Sequence, residues 1–398
     1  MKSKVVTTET QRYKPEKNLC SKIAAFLGIS LSLWLTLFLS ACHREPPTYE
    51  EQGYVFGTLV EISVYGESEA RAKEASAAVM AEFQRLHVML HAWDGKSPLA
   101  ELNGLNMMLE SGDDWEISQE LAAILKDATQ LSGQSGGLFN PAIGKLIKLW
   151  GFQSDEFKAV LPDEAEIKRL VAQNPQMSDL SFTPAPDGQH QIVRGCLIQI
   201  SEPGFELPPS KRPYRRKCDV QIDLGGYAKG YALDRAADIL KKMGVKNALI
   251  NIGGNVMALG AHGDRPWRIG IQHPRKPGPI ATMELRDGEA IGTSGDYQRY
   301  FELNGKRYCH LIDPRTGWPV QGVQAVTILT RGARAGVLSD APSKPLFISG
   351  LAGWREAARR MNIEDALLID GDGVVHITAA LRKRLEFTDK AVVVKEEP

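Results

Sequence analysis

Asp223-Leu-Gly-Gly-Tyr-Ala-Lys-Gly-Tyr-Ala-Leu-Asp234 reads as the end of a strand, a two-glycine turn and the opening of a helix. The apolar stretch Val220 to Leu224 leads into it. Beyond it, Ala228 opens a helix whose apolar stripe is Leu233, Ala236, Ala237 and Leu240. The free N–H groups of such a helix start point past the strand, and Lys229 adds a full charge in the first turn. Glycines such as Gly225 and Gly226 let backbone approach a phosphate or a flat ring. The spacing matches neither the G-x-x-x-x-G-K-[ST] loop nor the G-x-G-x-x-G fingerprint. Taken alone, the run is equally a tight turn followed by a surface lysine.

Two further runs of the same style change that balance: Thr293-Ser-Gly-Asp-Tyr297 and Cys309-His-Leu-Ile-Asp-Pro-Arg-Thr-Gly317. Together the three predict a pocket for a phosphorylated cofactor. Asn251-Ile-Gly-Gly-Asn255 closes another strand with glycines and fits either a planar ligand or a turn that requires positive φ. His310, at a strand end and three residues before Asp313, is a candidate acid or base near neutral pH. Asp340, after an apolar strand, is a candidate magnesium ligand or a plain helix cap.

Outward from these runs, Val55 to Tyr65 predicts a strand, and Ser68 opens a helix with Val79, Phe83, Leu86 and Leu90 on its apolar face. Further helices are expected at Leu121–Leu131, over Glu164–Gln173 and around Trp354–Met361. Asn247–Gly253, Trp267–Ile271 and Gln324–Thr330 predict strands, and Ala366–Asp370 with Val374–Thr378 a closing hairpin. No βαβ period repeats, so the fold class is α+β, or mixed α/β layers. Pro203, Pro208, Pro209 and Pro213, with five cations between Lys211 and Lys217, mark a basic loop that is either a solvated surface or a contact for an acidic partner or membrane.

The chain has 398 residues, 43% hydrophobic and 24% charged, an ordinary globular balance. Its 48 basic and 48 acidic residues give no indication of nucleic acid as a partner. Lys14, Lys17 and Lys22 precede an apolar run from Ile23 to Ala41, the layout of a secretory signal. Leu39-Ser-Ala-Cys42 resembles a bacterial lipoprotein cleavage box, which would make Cys42 the lipidated N-terminus; an uncleaved membrane anchor is the alternative. Either way the bulk lies outside the cytoplasm. Without residues 1–41 the body carries 42 basic and 46 acidic residues. Cys196, Cys218 and Cys309 remain there, with no metal-like spacing; a Cys196–Cys218 disulfide and three free thiols are both open.

In chain order, Phe56-Gly-Thr-Leu-Val-Glu-Ile62, Ser97–Asn103, Gly137-Leu-Phe-Asn-Pro141 with Trp150-Gly-Phe152, the three runs above, Asn251-Ile-Gly-Gly254 and Ser339-Asp-Ala341 resemble the ApbE family of bacterial flavin transferases, often periplasmic lipoproteins. The resemblance runs from Phe56 to beyond Phe347. It implies an ApbE-like α+β fold with an FAD cleft, and a reaction that splits FAD and moves FMN to a threonine of a target protein, releasing AMP. The implied target is a flavin-accepting subunit of a membrane redox complex. Family members that only hold FAD, or that hydrolyse it, give the alternatives.

The resemblance places Lys229 and His310 as catalytic. It places Phe56, Trp93, Asp223, Gly225, Gly226, Lys229, Thr293, Ser294, His310, Asp313 and Thr316 around FAD. For Mg2+ it implies the Ala228 carbonyl, Asp340 and Ser343. Phe56 stands where methionine is usual, and Asn255 where an acid is common. Asp340-Ala-Pro-Ser-Lys-Pro345 puts Lys344 where the family has a metal-binding threonine. Pro345 disfavours helical geometry at Lys344, so a late helix start with Ser343 as cap is expected. The metal would then be weak, use Ser343 or be partly replaced by Lys344. The implied layout is a signal over 1–41, a tether over 42–53, a flavin transferase domain over 54–385 and a tail over 386–398.

Overall fold

The computed structural model describes residues 47–93, 101–111, 114–154, 156–194, 197–199, 214–216 and 220–397. Nine strands form the main sheet and lie side by side in chain order. They are β1 (Thr48–Val55), β2 (Thr58–Tyr65), β3 (Ala248–Ile252), β4 (Asn255–Leu259), β5 (Glu289–Gly295), β6 (Val323–Arg331), β7 (Asp365–Asp370), β8 (Val375–Thr378) and β9 (Val394–Glu397). Neighbours are antiparallel except β8 and β9, which are parallel.

Apolar side chains on both faces make this sheet the middle layer. In β6, Val326 and Ile328 point into one core, while Ala325 and Leu329 point into a second. That two-sided burial explains why its sequence is nearly continuous in apolar and small residues rather than alternating. The second core is closed by a three-stranded sheet of Trp267–Gln272, Pro279–Leu285 and Leu385–Phe387. The first is closed by helices.

Nine helices occur among the described residues: α1 (Glu69–Leu90), α2 (Glu101–Ser111), α3 (Gln119–Gln134), α4 (Gly144–Leu149), α5 (Glu164–Gln173), α6 (Ala228–Lys242), α7 (Ala335–Asp340), α8 (Ser343–Arg360) and α9 (Ala379–Arg382). None is long and apolar enough to cross a membrane. In α1 the Ser68 hydroxyl accepts the Arg71 N–H, a cap worth roughly 1 kcal/mol. Ala72, Ala75, Val79, Phe83 and Leu86 form its buried stripe. A third cluster lies apart from these two cores. Trp150 stacks on Tyr308 at 5.8 Å, and Phe301 on Tyr308 at 5.2 Å, beside α4 and α5.

Several expectations need correction. Val55–Tyr65 is not one strand but the end of β1, a two-residue turn and β2. Phe56 (φ 55) and Gly57 (φ 68) are both left-handed, the geometry that matches the twist of a tight hairpin. The expected tether is strand from Thr48 onward, because β2 offers β1 a full ladder partner. The expected tail supplies the end of Leu385–Phe387 and all of β9. Val220–Leu224 is buried but makes a single bridge, Ile143 with Gln221, in place of a ladder. Cys42, Cys196, Cys218 and most of the basic loop lie outside the described residues; of that region, 197–199 and 214–216 are described and pair with each other. Cys309 is buried and free.

Candidate active site

A cleft of about 780 Å3 opens at the start of α6, between the β1–β2 turn, the end of β5 and the His310 segment. Asp223 shapes its edge. One carboxylate oxygen accepts the Gly225 N–H at 2.7 Å, and the other accepts the Trp93 indole N–H at 2.8 Å. That pair fixes the glycine turn and turns Trp93 toward the cleft. At the far end of the same run, Asp234 accepts the Gly336 and Val337 amides at 2.8 and 3.0 Å and so caps α7 from α6. Burial raises its carboxyl to about 6.

Close backbone contact makes that docking possible. A Cβ on Gly230 would lie 2.5 Å from the Gly336 carbonyl oxygen and 2.7 Å from Asp340 Cβ. With no side chain there, the Gly230 amide donates to Asp340 at 2.9 Å. Lys229, the neighbouring residue, lines the cleft and has no ion-pair partner among the described residues. Burial lowers its pKa; Asp340 opposes the shift, and Lys344 and Arg299 add to it. A poorly solvated, unpaired ammonium beside a helix start is a strong site for an anion.

His310 faces the same space. Its Nδ1 lies 3.2 Å from the Arg299 carbonyl, which can only accept, so Nδ1 carries the proton and Nε2 keeps its lone pair. Burial, with Arg299 and Lys229 nearby, drives its pKa down to about 3. The ring is therefore neutral near pH 7 and able to accept a proton. Arg299 is held in turn by the carbonyls of Phe152 and Ser154, at 2.9 and 3.0 Å.

The residues implied for a metal are arranged otherwise. Lys344, one turn beyond Asp340, binds Asp340 Oδ1 and donates to the Asp340 carbonyl at 2.9 Å. Oδ2 is taken by the Gly230 amide. The Ser343 hydroxyl donates to the Asp340 carbonyl at 2.6 Å and accepts from Ser294 at 2.6 Å. Asn255, buried beside the Ser339 carbonyl at Gly292, brings an amide and no second carboxylate. No group of three or more His, Cys, Asp or Glu able to hold a metal occurs among the described residues. Each Asp340 carboxylate oxygen and the Ser343 hydroxyl already has a protein donor, and the Lys344 ammonium sits on Oδ1; a divalent ion does not fit this set as arranged. Ala228 lines the cleft at the first position of α6. The helix carrying Lys344 does begin at Ser343, but Pro342 takes the cap position and Ser343 makes no cap bond, since its hydroxyl is committed to Asp340.

Of the expected FAD contacts, Phe56, Trp93, Asp223, Gly225, Gly226, Lys229, Thr293, Ser294 and His310 converge on the cleft. Asp313 and Thr316 do not line it. Asp313 accepts the Arg315 amide at 2.9 Å and pairs with its guanidinium, and the Thr316 hydroxyl accepts the Trp318 amide at 3.2 Å. Their job is to close the turn that packs on α5, where a Cβ on Gly317 would lie 2.6 Å from Ile167. The sequence reading missed Arg299, Gln298, His87 and His91, which also line the cleft. His87 and His91 sit one turn apart at the end of α1, a spacing that marks one face, and Arg299 follows Tyr297 by two positions.

The comparisons agree with this geometry. The sequence model described as the ApbE family matches residues 56–368. An FAD:protein FMN transferase of Rhodobacter capsulatus is 38% identical over 92% of this chain, which spans 64% of that relative's length. A Treponema pallidum protein of the same name is 30% identical, covering 87% of this chain and 91% of the relative. The crystal structure of the ApbE protein from Thermotoga maritima superposes with a TM-score of 0.70 at 27% identity, over 85% of this chain and 99% of that one. The apo flavinyl transferase ApbE of Pseudomonas stutzeri gives 0.67 at 25% identity, over 86% and 98%. With an α+β fold, a cleft at the glycine turn of α6 and a family match across most of its length, this chain belongs to the ApbE family of FAD:protein FMN transferases.

Proposed function

We propose that this chain transfers the FMN half of FAD to a threonine hydroxyl on a flavin-accepting subunit of a membrane redox complex. The observation that carries the reading is Lys229, half-buried and without an ion-pair partner among the described residues, at the α6 start within the cleft. There the diphosphate meets Lys229 and the helix N–H groups, and Trp93 and Phe56 offer ring faces to the flavin or adenine. The threonine oxygen attacks the phosphorus on the FMN side. His310 Nε2 takes the hydroxyl proton as the oxygen–phosphorus bond forms. The bond from that phosphorus to the bridging oxygen breaks, and AMP leaves with the bridging oxygen. A positioned base supplies about 10²–10⁴-fold, and the protein otherwise orients and stabilises charge. Once a polyanion binds, the field of its charge raises the His310 pKa toward neutrality, which improves the base.

Mg2+, which the family resemblance implies, would supply further charge neutralisation; the Asp340 ligand set does not fit it, and no step above uses it. Lipidation at Cys42 would hold the enzyme on the periplasmic side of a membrane, beside such a subunit. Incubating residues 43–398 with FAD and a flavin-accepting subunit, in chelator and in magnesium, should give a fluorescent subunit and one AMP per label. Absence of both products in both buffers refutes the reading. A Cys42→Ser variant recovered in the membrane fraction as fully as the native chain would refute the lipid anchor.

A further inference from the structure

Lys344 is placed as a built-in cation. Its ammonium carries three N–H donors, and two are used on Asp340, one to Oδ1 and one to the carbonyl. Lys344 lines the cleft, and its side chain is 14% exposed against 2% for Asp340. The ammonium therefore stands between the buried carboxylate and the ligand space, with its third donor uncommitted. Gly226 makes room for it, since a Cβ there would lie 3.2 Å from Lys344 Cε. Pro345 falls in the first turn of α8, where a missing N–H is no loss, so it holds the Lys344 backbone without breaking the helix.

We propose that Lys344 does the work of a divalent cation in this chain: it anchors the FAD diphosphate, and FAD binding and AMP release proceed without metal. The inference rests on the reading that the cleft takes FAD. A metal competing for Asp340 would have to displace the ammonium from Oδ1 and then lie beside Lys229, whose charge already feels both Lys344 and Arg299. Asp340 serves as the counter-ion that holds Lys344 in place, and Gly230 pins the other carboxylate oxygen. A fixed monovalent cation on an i, i+4 pair gives the site its charge at any metal concentration.

The test is FAD titration followed by flavin fluorescence, with EDTA or with magnesium chloride, on the native protein and on Lys344→Thr and Lys344→Arg. The native protein should bind FAD with the same Kd in both buffers, within about twofold, and show no heat on magnesium titration. Lys344→Thr should lose about 10- to 100-fold in EDTA, the value of one charge-assisted contact, and recover in magnesium; Lys344→Arg should stay metal-independent. Native protein that binds FAD only with magnesium overturns the proposal, as does Lys344→Thr binding normally in EDTA. Failure of the native protein to bind FAD in either buffer instead overturns the FAD reading, and this proposal with it. The native comparison stands even where a variant fails to fold.

Discussion

Two glycine-bounded runs look alike on paper and behave differently. In 223–230, Asp223 is spent on bracing Gly225 and Trp93, and Lys229 lines the cleft with no ion-pair partner among the described residues. In 310–317, Asp313 is paired with Arg315, Thr316 closes a turn, and Gly317 packs on α5. Of the polar side chains in the second run, His310 alone lines the cleft, beside Leu311 and Ile312. The lesson is that a polar side chain serves a site only if the local backbone has not already claimed it. Both runs carry an acid, a cation and a closing glycine; the local hydrogen bonds decide.

The sharpest test removes the one active member of the second run. His310→Asn should lower transfer by about 10²–10⁴ while leaving the FAD Kd within a few-fold. The same variant checks the pH behaviour. His310 is held at about 3 in the fold against an ordinary value near 6.5, so the unfolded chain binds the proton first. Its contribution is present above pH 6.5 and lost as pH falls toward 3. Urea midpoints of His310→Asn should fall less steeply over that window; an unchanged slope counts against a ring held neutral by the fold.

Lys229→Met comes next. FAD affinity should drop roughly 10- to 100-fold, with the melting temperature unchanged or higher because a desolvated charge is gone. Gly230→Ala should cost about 1–3 kcal/mol in urea unfolding, since its Cβ meets backbone of α7. Smallest of all, Thr316→Ala should leave FAD binding within about 0.5 kcal/mol. If it weakens FAD as much as Lys229→Met does, the contrast between the two runs is lost.

Much of this was legible in the chain. Ser68 as a cap, the polar helix Glu164–Gln173 and the start of α6 at Ala228 all depend on neighbours within one or two turns. The grouping of Lys229, Thr293, Ser294 and His310, drawn from three separate runs, became legible through the family resemblance and not through local pattern. Strand order was not legible, because β2 and β3 pair across the whole of α1 to α6. Nor was the end of the chain, whose polar Val394–Glu397 becomes strand only because β8 offers an edge. The replacement of threonine by Lys344 was visible, and three outcomes for the metal were open from it. Contacts of Asp340 with both Lys344 and Gly230 favour the last of them, and Gly230 lies 110 positions away.

An open sheet has two rims, each with a row of unpaired amides and carbonyls that other chains could extend. Here the first rim, β1, carries Glu50 and Glu51, and the last, β9, carries Lys395, Glu396 and Glu397. Charge along both borders makes continuation by a second molecule unfavourable. Among the described residues the sheet thus keeps both of its edges charged, which works against fibrous growth.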